Sequence, residues 1–466
     1  MNALWQLPAQ ALAAEFAAGR ASAIDIVEAH LARIDAVNPA VNAIVQRCDD
    51  DARAAARALD AKRAAGAPLG ALAGVPFTVK QNIDVAGQPT TYGLAALANA
   101  RAGRDSPVVA RLRAADGILI GRTNLPDLGL RVHTDSGLNG LTKNPWNPAR
   151  TVGGSSGGEA AALATGMSPL GLGNDLGGSL RNPATCCSIA SIKPTFGLVP
   201  HANDIHALPE TMVLQVLLVE GTMARRVGDV RAALAVLSGP DARDPWTQPV
   251  TLSASARPRR VALLAEPPGG DTDPRVAAVT CAAAAALAAA GVEVEEAVPP
   301  QWDAVIGCWH HLVVGGVSAA RPMLTPILSA GAAQFIAHAA TAAGPIPIEM
   351  MEAAWIGRRA LAVAWAEFFQ RFDAVLTPTW TQLPFIVGAD IASPEGAAAA
   401  LAGARPVLPA NLLGLPSAAV PAGLVDGMPV GVLLTGPMWG DLVCLELAEH
   451  IERARLAPAT PIDPRS

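Results

Sequence analysis

The chain has 466 residues, 51% of them hydrophobic and 16% charged, with 43 Gly and 39 Pro; this is the composition of a globular protein with a sizeable core and not of a disordered or fibrous chain. A net charge of −6 with no cluster of Lys and Arg excludes direct binding to a nucleic-acid backbone. The mean hydropathy of +0.32 comes from dispersed alanine and not from an apolar run of spanning length, so no membrane partner is expected.

Residues 1–65 are Ala-rich, with charges at helical spacing (Glu28, Arg33 and Asp35, then Arg53, Arg57 and Asp60), which predicts two or three amphipathic helices. MNALWQLPAQALAAEF has no basic leader before an apolar run. The six cysteines (Cys48, Cys186, Cys187, Cys281, Cys308, Cys444) are scattered, so a cytoplasmic, reducing location is expected. From 66 to 240 short apolar runs (VPFTV, GILIGRT, SPLGLGNDLGG) alternate with helical stretches such as EAAALATG, the pattern of an α/β layer protein. Residues 241–372 read as an inserted, peripheral region: RRVALLAEP, TDPRVAAVTCAAAAALAAAG and VEVEEAV form a β-α-β unit, followed by Trp- and Met-containing helices. Residues 373–466 supply the buried strand FDAVLTPTW, a closing strand pair in PANLLGLPSAAVPAGL and MPVGVLLTGP, and a last helix, DLVCLELAEHIERAR. The whole is expected to be one domain.

The chemistry concentrates between residues 80 and 181. Ser155 lies in TVGGSSGGEAAALATG and Ser179 in GLGNDLGGSLRNPA. Glycine allows unusual backbone angles and close approach to main-chain N–H groups, so Gly177 and Gly178 before Ser179 predict an oxyanion-binding turn. A serine needs a base, and of the four lysines (Lys62, Lys80, Lys143, Lys193) only Lys80 closes a run that reads as a buried strand, GVPFTVK. Burial would disfavour the ammonium form and let Lys80 accept a proton.

GVPFTVKQNIDVAGQPTTYG, PWNPARTVGGSSGGEAAALATG and GLGNDLGGSLRNPATCC together resemble the amidase signature family in order and spacing. The likeness extends to IKPTFGLVP, GTMARRVGDV and NLLGLPSAAVPAG. The resemblance implies a mixed, mostly parallel central β-sheet covered by helices on both sides. It also implies an amidohydrolase acting through an acyl-enzyme, with Ser179 as nucleophile, Ser155 after a cis peptide bond as the bridging serine, and Lys80 as base. Backbone N–H groups of Leu176, Gly177, Gly178 and Ser179 would hold the oxyanion; Gly154, Ser156, Asp175 and Arg181 would shape the site; Gly129, Leu130 and Arg131 would line the substrate pocket. No metal or organic cofactor is implied, and amides, aryl esters or carbamates are the small-molecule partners. Gln81 after Lys80, and Ser188 and Ser191 where glycines are expected, depart from the family pattern.

Other readings remain. GGSSG around Ser155 satisfies GxSxG, which would suit an α/β-hydrolase-type esterase with a partner such as His450, though it leaves Ser179 and Lys80 unexplained. The same residues would serve the glutaminase component of a tRNA-dependent amidotransferase, and a catalytically dead binding module is a third class. A phosphate cradle lacks its GKS or GKT ending. The SxxK arrangement is absent, and His201, His206, His310 and His311 lack metal-site spacing. HANDIHALPETMVLQVLLVEGT and residues 302–355 read as pocket or lid material.

Overall fold

The computed structural model describes residues 4–252, 259–458 and 460–465. Its frame is one sheet of eleven strands: β1 (Ile44–Arg47), β2 (Pro76–Lys80), β3 (Ile118–Thr123), β4 (Leu170–Asp175), β5 (Ala190–Lys193), β6 (Val219–Ala224), β7 (Arg260–Leu263), β8 (Glu293–Glu296), β9 (Ala374–Pro378), β10 (Ser417–Val425) and β11 (Met428–Thr435). Their spatial order is β1-β3-β2-β4-β6-β5-β10-β11-β9-β7-β8.

The sheet is mixed, as expected, and its parallel pairings lie in two flanks: β3, β2 and β4 on one side, β9, β7 and β8 on the other. Between them the chain runs antiparallel from β4 through β6, β5, β10 and β11 to β9, so the expectation of a mostly parallel sheet holds for the flanks and not for the middle. The physical reason is the connections. Short links such as the turn between β10 and β11 can only reverse the chain, whereas parallel neighbours need a crossover like the helix Pro274–Ala289 between β7 and β8.

Both faces of the sheet are covered. Phe77 and Val79 of β2 join Val420 and Val432 in a core beneath the helices Pro107–Ala114, Val227–Leu237, Pro274–Ala289 and Asp441–Arg453. On the other face lie Ala23–Val41, Asp49–Ala64 and Gly157–Ala164, and further along the sheet Trp302–Leu324 and Ile348–Phe368. A strand sandwiched this way is covered on both faces, which is why PFTVK is buried throughout, Lys80 included. The N-terminal region holds the expected helices, Ala9–Ala17, Ala23–Val41 and Asp49–Ala64, but also the short edge strand β1, which the Ala-rich pattern concealed. No helix among the described residues is long and apolar enough to cross a membrane.

Candidate active site

Lys80 ends β2 at the carboxyl edge of a parallel flank, where open α/β sheets place their sites. Its side chain is completely buried. The Nζ donates to Ser155 Oγ at 2.7 Å and to Asn174 Oδ1 at 2.8 Å. Burial pulls its pKa down from 10.5 to about 7, against the opposing pull of Glu220, Asp175 and Glu159. Of these carboxyls, Glu159 is itself pushed up to about 8 by burial and takes hydrogen bonds from the Thr78 and Thr123 hydroxyls, so at neutral pH it is largely uncharged. A lysine of this kind is poised to accept a proton.

The peptide bond between Gly154 and Ser155 is cis. A Cβ at Gly154 would stand 2.6–2.7 Å from backbone atoms of Arg131, Val132 and His133, so only glycine lets the serine loop lie against that segment. Ser156 N–H donates to Ser179 C=O at 3.1 Å, which ties the two serine loops together. The Ser156 hydroxyl is buried without a protein partner among the described residues.

Ser179 follows β4 through the turn at Leu176–Gly178. The Asp175 carboxylate organises this turn: it accepts from Gly178 N–H (2.7 Å), Leu180 N–H (3.1 Å), Arg181 Nε (3.0 Å) and Nη2 (2.9 Å), and Asn411 Nδ2 (3.0 Å). Burial alone would raise its pKa, but the Arg181 guanidinium and the two N–H groups outweigh that and hold it well below the usual carboxylate range. Arg181 is braced in turn by Val407 C=O and Asn411 Oδ1. Of the four N–H groups expected to hold an oxyanion, one is already occupied. The Gly178 N–H is engaged by Asp175, leaving Leu176, Gly177 and Ser179 as the N–H groups without an intramolecular acceptor among the described residues. Gly178 instead supplies a backbone with φ +95°, where a Cβ would also meet Asn182 and Val407.

Gly129, Leu130, Arg131, Gly177 and Ser179 share the wall of one cavity of about 100 Å³, whose remaining lining is apolar apart from Ser318 and includes Trp309, Val313 and Phe335. Gly129 brings its backbone against Ser155, since a Cβ there would be 3.1 Å from Oγ. Arg131 reaches the wall with Nε and Nη2 each donating to buried Asp390 at 3.0 Å, while its Nη1 is buried without a hydrogen-bond partner among the described residues and lies 3.7 Å from Asp135. Trp309 Nε1 donates to Leu176 C=O at 3.1 Å, fixing the indole over the turn. The region 302–355 thus lines the cavity. The segment beginning at His201 does not line this cavity; it clamps the loop after Lys80, with Asp84 accepting from Ile205 N–H at 3.1 Å and Asn203 Nδ2 donating to Asn82 C=O at 3.0 Å.

His450 lies on Asp441–Arg453, in the layer across the sheet from Gly157–Ala164, and the Ser155 hydroxyl is engaged by Lys80. Nothing in that arrangement supports a Ser155–His450 pair. Among the described residues no group of three or more His, Cys, Asp or Glu side chains is arranged to hold a metal.

The family model described as Amidase matches residues 25–445. The chain belongs to the amidase family. This amidase is 39% identical to an indoleacetamide hydrolase of Bradyrhizobium diazoefficiens over 96% of its own length and 86% of the relative's. It is 33% identical to an acylamidase of Rhodococcus erythropolis, over 97% of this chain and 96% of the relative. Among solved structures it is similar to a bacterial aryl acylamidase of the amidase signature family, with a TM-score of 0.83 and 28% identity over 97% of this chain and 96% of that one. As a member of this family it is a hydrolase of amides, working by serine chemistry.

Proposed function

We propose that this amidase hydrolyses amides whose acyl group is compact and apolar, an arylacetamide above all, with Ser179 as nucleophile, Ser155 as bridge and Lys80 as base. The observation that carries this reading is the bond from a buried, near-neutral Lys80 to Ser155, beside a serine that opens on an apolar cavity. In the acylation step the Ser179 proton passes to Ser155, whose own proton passes to Lys80, as the Ser179 oxygen adds to the amide carbonyl. The oxyanion forms against the N–H groups of Leu176, Gly177 and Ser179. Collapse expels the amine, which takes a proton from Ser155 while Lys80 returns its own. A water then enters by the same route and releases the acid. Aryl esters and carbamates of similar acyl shape fit the same chemistry.

The 39% identical relative named for indoleacetamide supports an aryl acyl group, and so do the largely apolar walls that include Trp309, Val313 and Phe335. Five of the six cysteines are buried and none is bonded to another, which agrees with the cytoplasmic location we infer. The test is a panel of indoleacetamide, phenylacetamide, acetamide and glutamine. Turnover is expected to favour the aryl amides, to vanish in Ser179→Ala together with fluorophosphonate labelling, and to fall severely in Ser155→Ala. Glutamine turnover without aryl amide turnover, or co-purification with a second protein, would favour the amidotransferase reading instead.

A further inference from the structure

β4 and β6 run antiparallel with Asn174 directly opposite Glu220. Residues opposed in this way project from the same face with their Cβ atoms about 4.5–5.5 Å apart. Asn174 Oδ1 accepts from Lys80 Nζ at 2.8 Å and from Asn82 Nδ2 at 3.2 Å, so Lys80, Asn82, Asn174 and Glu220 enclose one polar compartment. Three atoms there are buried without a protein partner among the described residues: one donor, Asn174 Nδ2, and two acceptors, Glu220 Oε2 and Asn82 Oδ1. The other Glu220 oxygen meets His201 Nδ1 at 2.7 Å. His201 Nε2 lies 3.3 Å from Glu210, which is also 3.3 Å from His206 Nδ1.

We propose that Glu220 is a positioning residue for the Lys80 amine, acting through Asn174, with its charge balanced by His201, which Glu210 helps to hold protonated. The proposal rests on Lys80 being the base.

Each ionisable neighbour of Lys80 has a distinct status. Asp175 on β4 is neutralised by Arg181, with which it forms a fully buried pair. Glu159 on Gly157–Ala164 is held between two threonine hydroxyls. Arg122 on β3 directs its guanidinium to backbone oxygens, including Lys80 C=O at 3.4 Å. Glu220 is in direct contact with a titratable counter-charge, His201. Around His201 stand Glu220, Glu210, His206 near Glu210, and Asp244, which accepts the His201 backbone N–H at 2.8 Å. Burial works against the imidazolium, but the two glutamates more than offset it and push the His201 pKa up to about 10. At neutral pH His201 is therefore charged and shields Lys80 from Glu220, whose bare charge would favour the ammonium.

The signature is a pair of opposite displacements. Glu220→Gln removes the negative charge, so the acid limb of acylation is expected to move to lower pH. His201→Gln unshields Glu220, so the limb is expected to move to higher pH, each by about one unit, as for charges a few ångströms away. Should either substitution fail to fold, Glu210→Gln, at the partly exposed end of the chain of charges, removes one negative charge while Glu220 keeps the imidazolium, and is expected to shift the limb in the Glu220→Gln direction by less, an opposite shift also overturning the proposal. The measurement is the pH profile of acylation by an activated aryl ester, with folding checked by circular dichroism. Unmoved limbs, or shifts of the same sign in Glu220→Gln and His201→Gln, would overturn the proposal. A failure of the base assignment is distinguishable, because Lys80→Arg would then remain active.

Discussion

At the scale of single residues, the base role proposed for Lys80 rests on how its environment sets its proton. The ammonium is desolvated by complete burial and its pKa lies near 7, against 10.5 for the free side chain. In the proposed relay the neutral amine is the active form, so acylation is expected to rise with pH through about 7 and level off above it. Lys80→Ala should reduce amide turnover by about 10²–10⁴-fold, the usual loss on deleting a general base, and should hurt amides more than activated esters, whose leaving groups need no returned proton. Lys80→Arg keeps a cation that cannot deprotonate and should fail as badly. Steady-state rates from pH 5 to 9 check this, and near-wild-type amide turnover in the arginine variant would refute the relay. Lys80, Ser155 and Ser179 were legible as residues because glycine-framed serines and a strand-ending lysine leave a local pattern. Asn174 and Glu220 were not. Their relation to Lys80 comes from the register between β4 and β6, which no local pattern encodes. Ser188, where glycine was expected, adopts φ +58°, so the backbone demand persists although the residue that meets it most easily is absent.

At the scale of elements, the buried strand ending at Lys80, the β-α-β unit of β7 and β8 and the closing pair β10–β11 were all readable from hydrophobic pattern. Such strands are uniform apolar runs bounded by turn residues. β1 was missed because four residues, Ile44–Arg47, lie between two long helices, too few to show alternation. Arg131 illustrates a different limit. A substrate-lining arginine and a structural one look identical in sequence, and only the structure shows the side chain locked to Asp390, which lies in a helical turn preceding Pro394–Gly403. Arg131→Ala would leave the Asp390 carboxylate buried and unpaired, a loss of roughly 3–5 kcal/mol where one partner of a buried pair is removed. It should therefore lower thermal stability and depress all substrates together. Replacing both partners, as Arg131→Met with Asp390→Leu, should recover much of that stability. Melting temperatures of the three proteins and their substrate rankings check the point. A single variant that melts like wild type while re-ordering substrates would restore Arg131 to a role in specificity.

At the scale of the whole molecule, the site depends on segments far apart in the chain. The Ser179 turn is braced by Val407, Asn411 and Ser417 through Arg181, more than 200 residues away. The sheet makes the same connection, because β10 pairs with β5, and β9 joins β11 to the edge formed by β7 and β8. Region 241–372 is thus bound twice, by its two strands in the sheet and by Trp309 over the Leu176 carbonyl. We propose on these grounds that the chain unfolds as one cooperative unit. Trp246, Trp302, Trp309, Trp355 and Trp365 report on this region, fluorophosphonate labelling of Ser179 reports on the turn, and far-ultraviolet circular dichroism reports on the whole. In a urea titration the three signals should be lost at the same midpoint, since coincident probes are the mark of a single transition. Tryptophan fluorescence that changed at lower urea, with labelling of Ser179 intact, would show instead that 241–372 is a separately folding layer and that the turn keeps its shape without the indole. The bond from Trp309 to Leu176 and the 2.6 Å that would separate a Cβ at Gly177 from the indole argue for the first outcome, because the ring and the turn occupy one packed space and neither can relax alone.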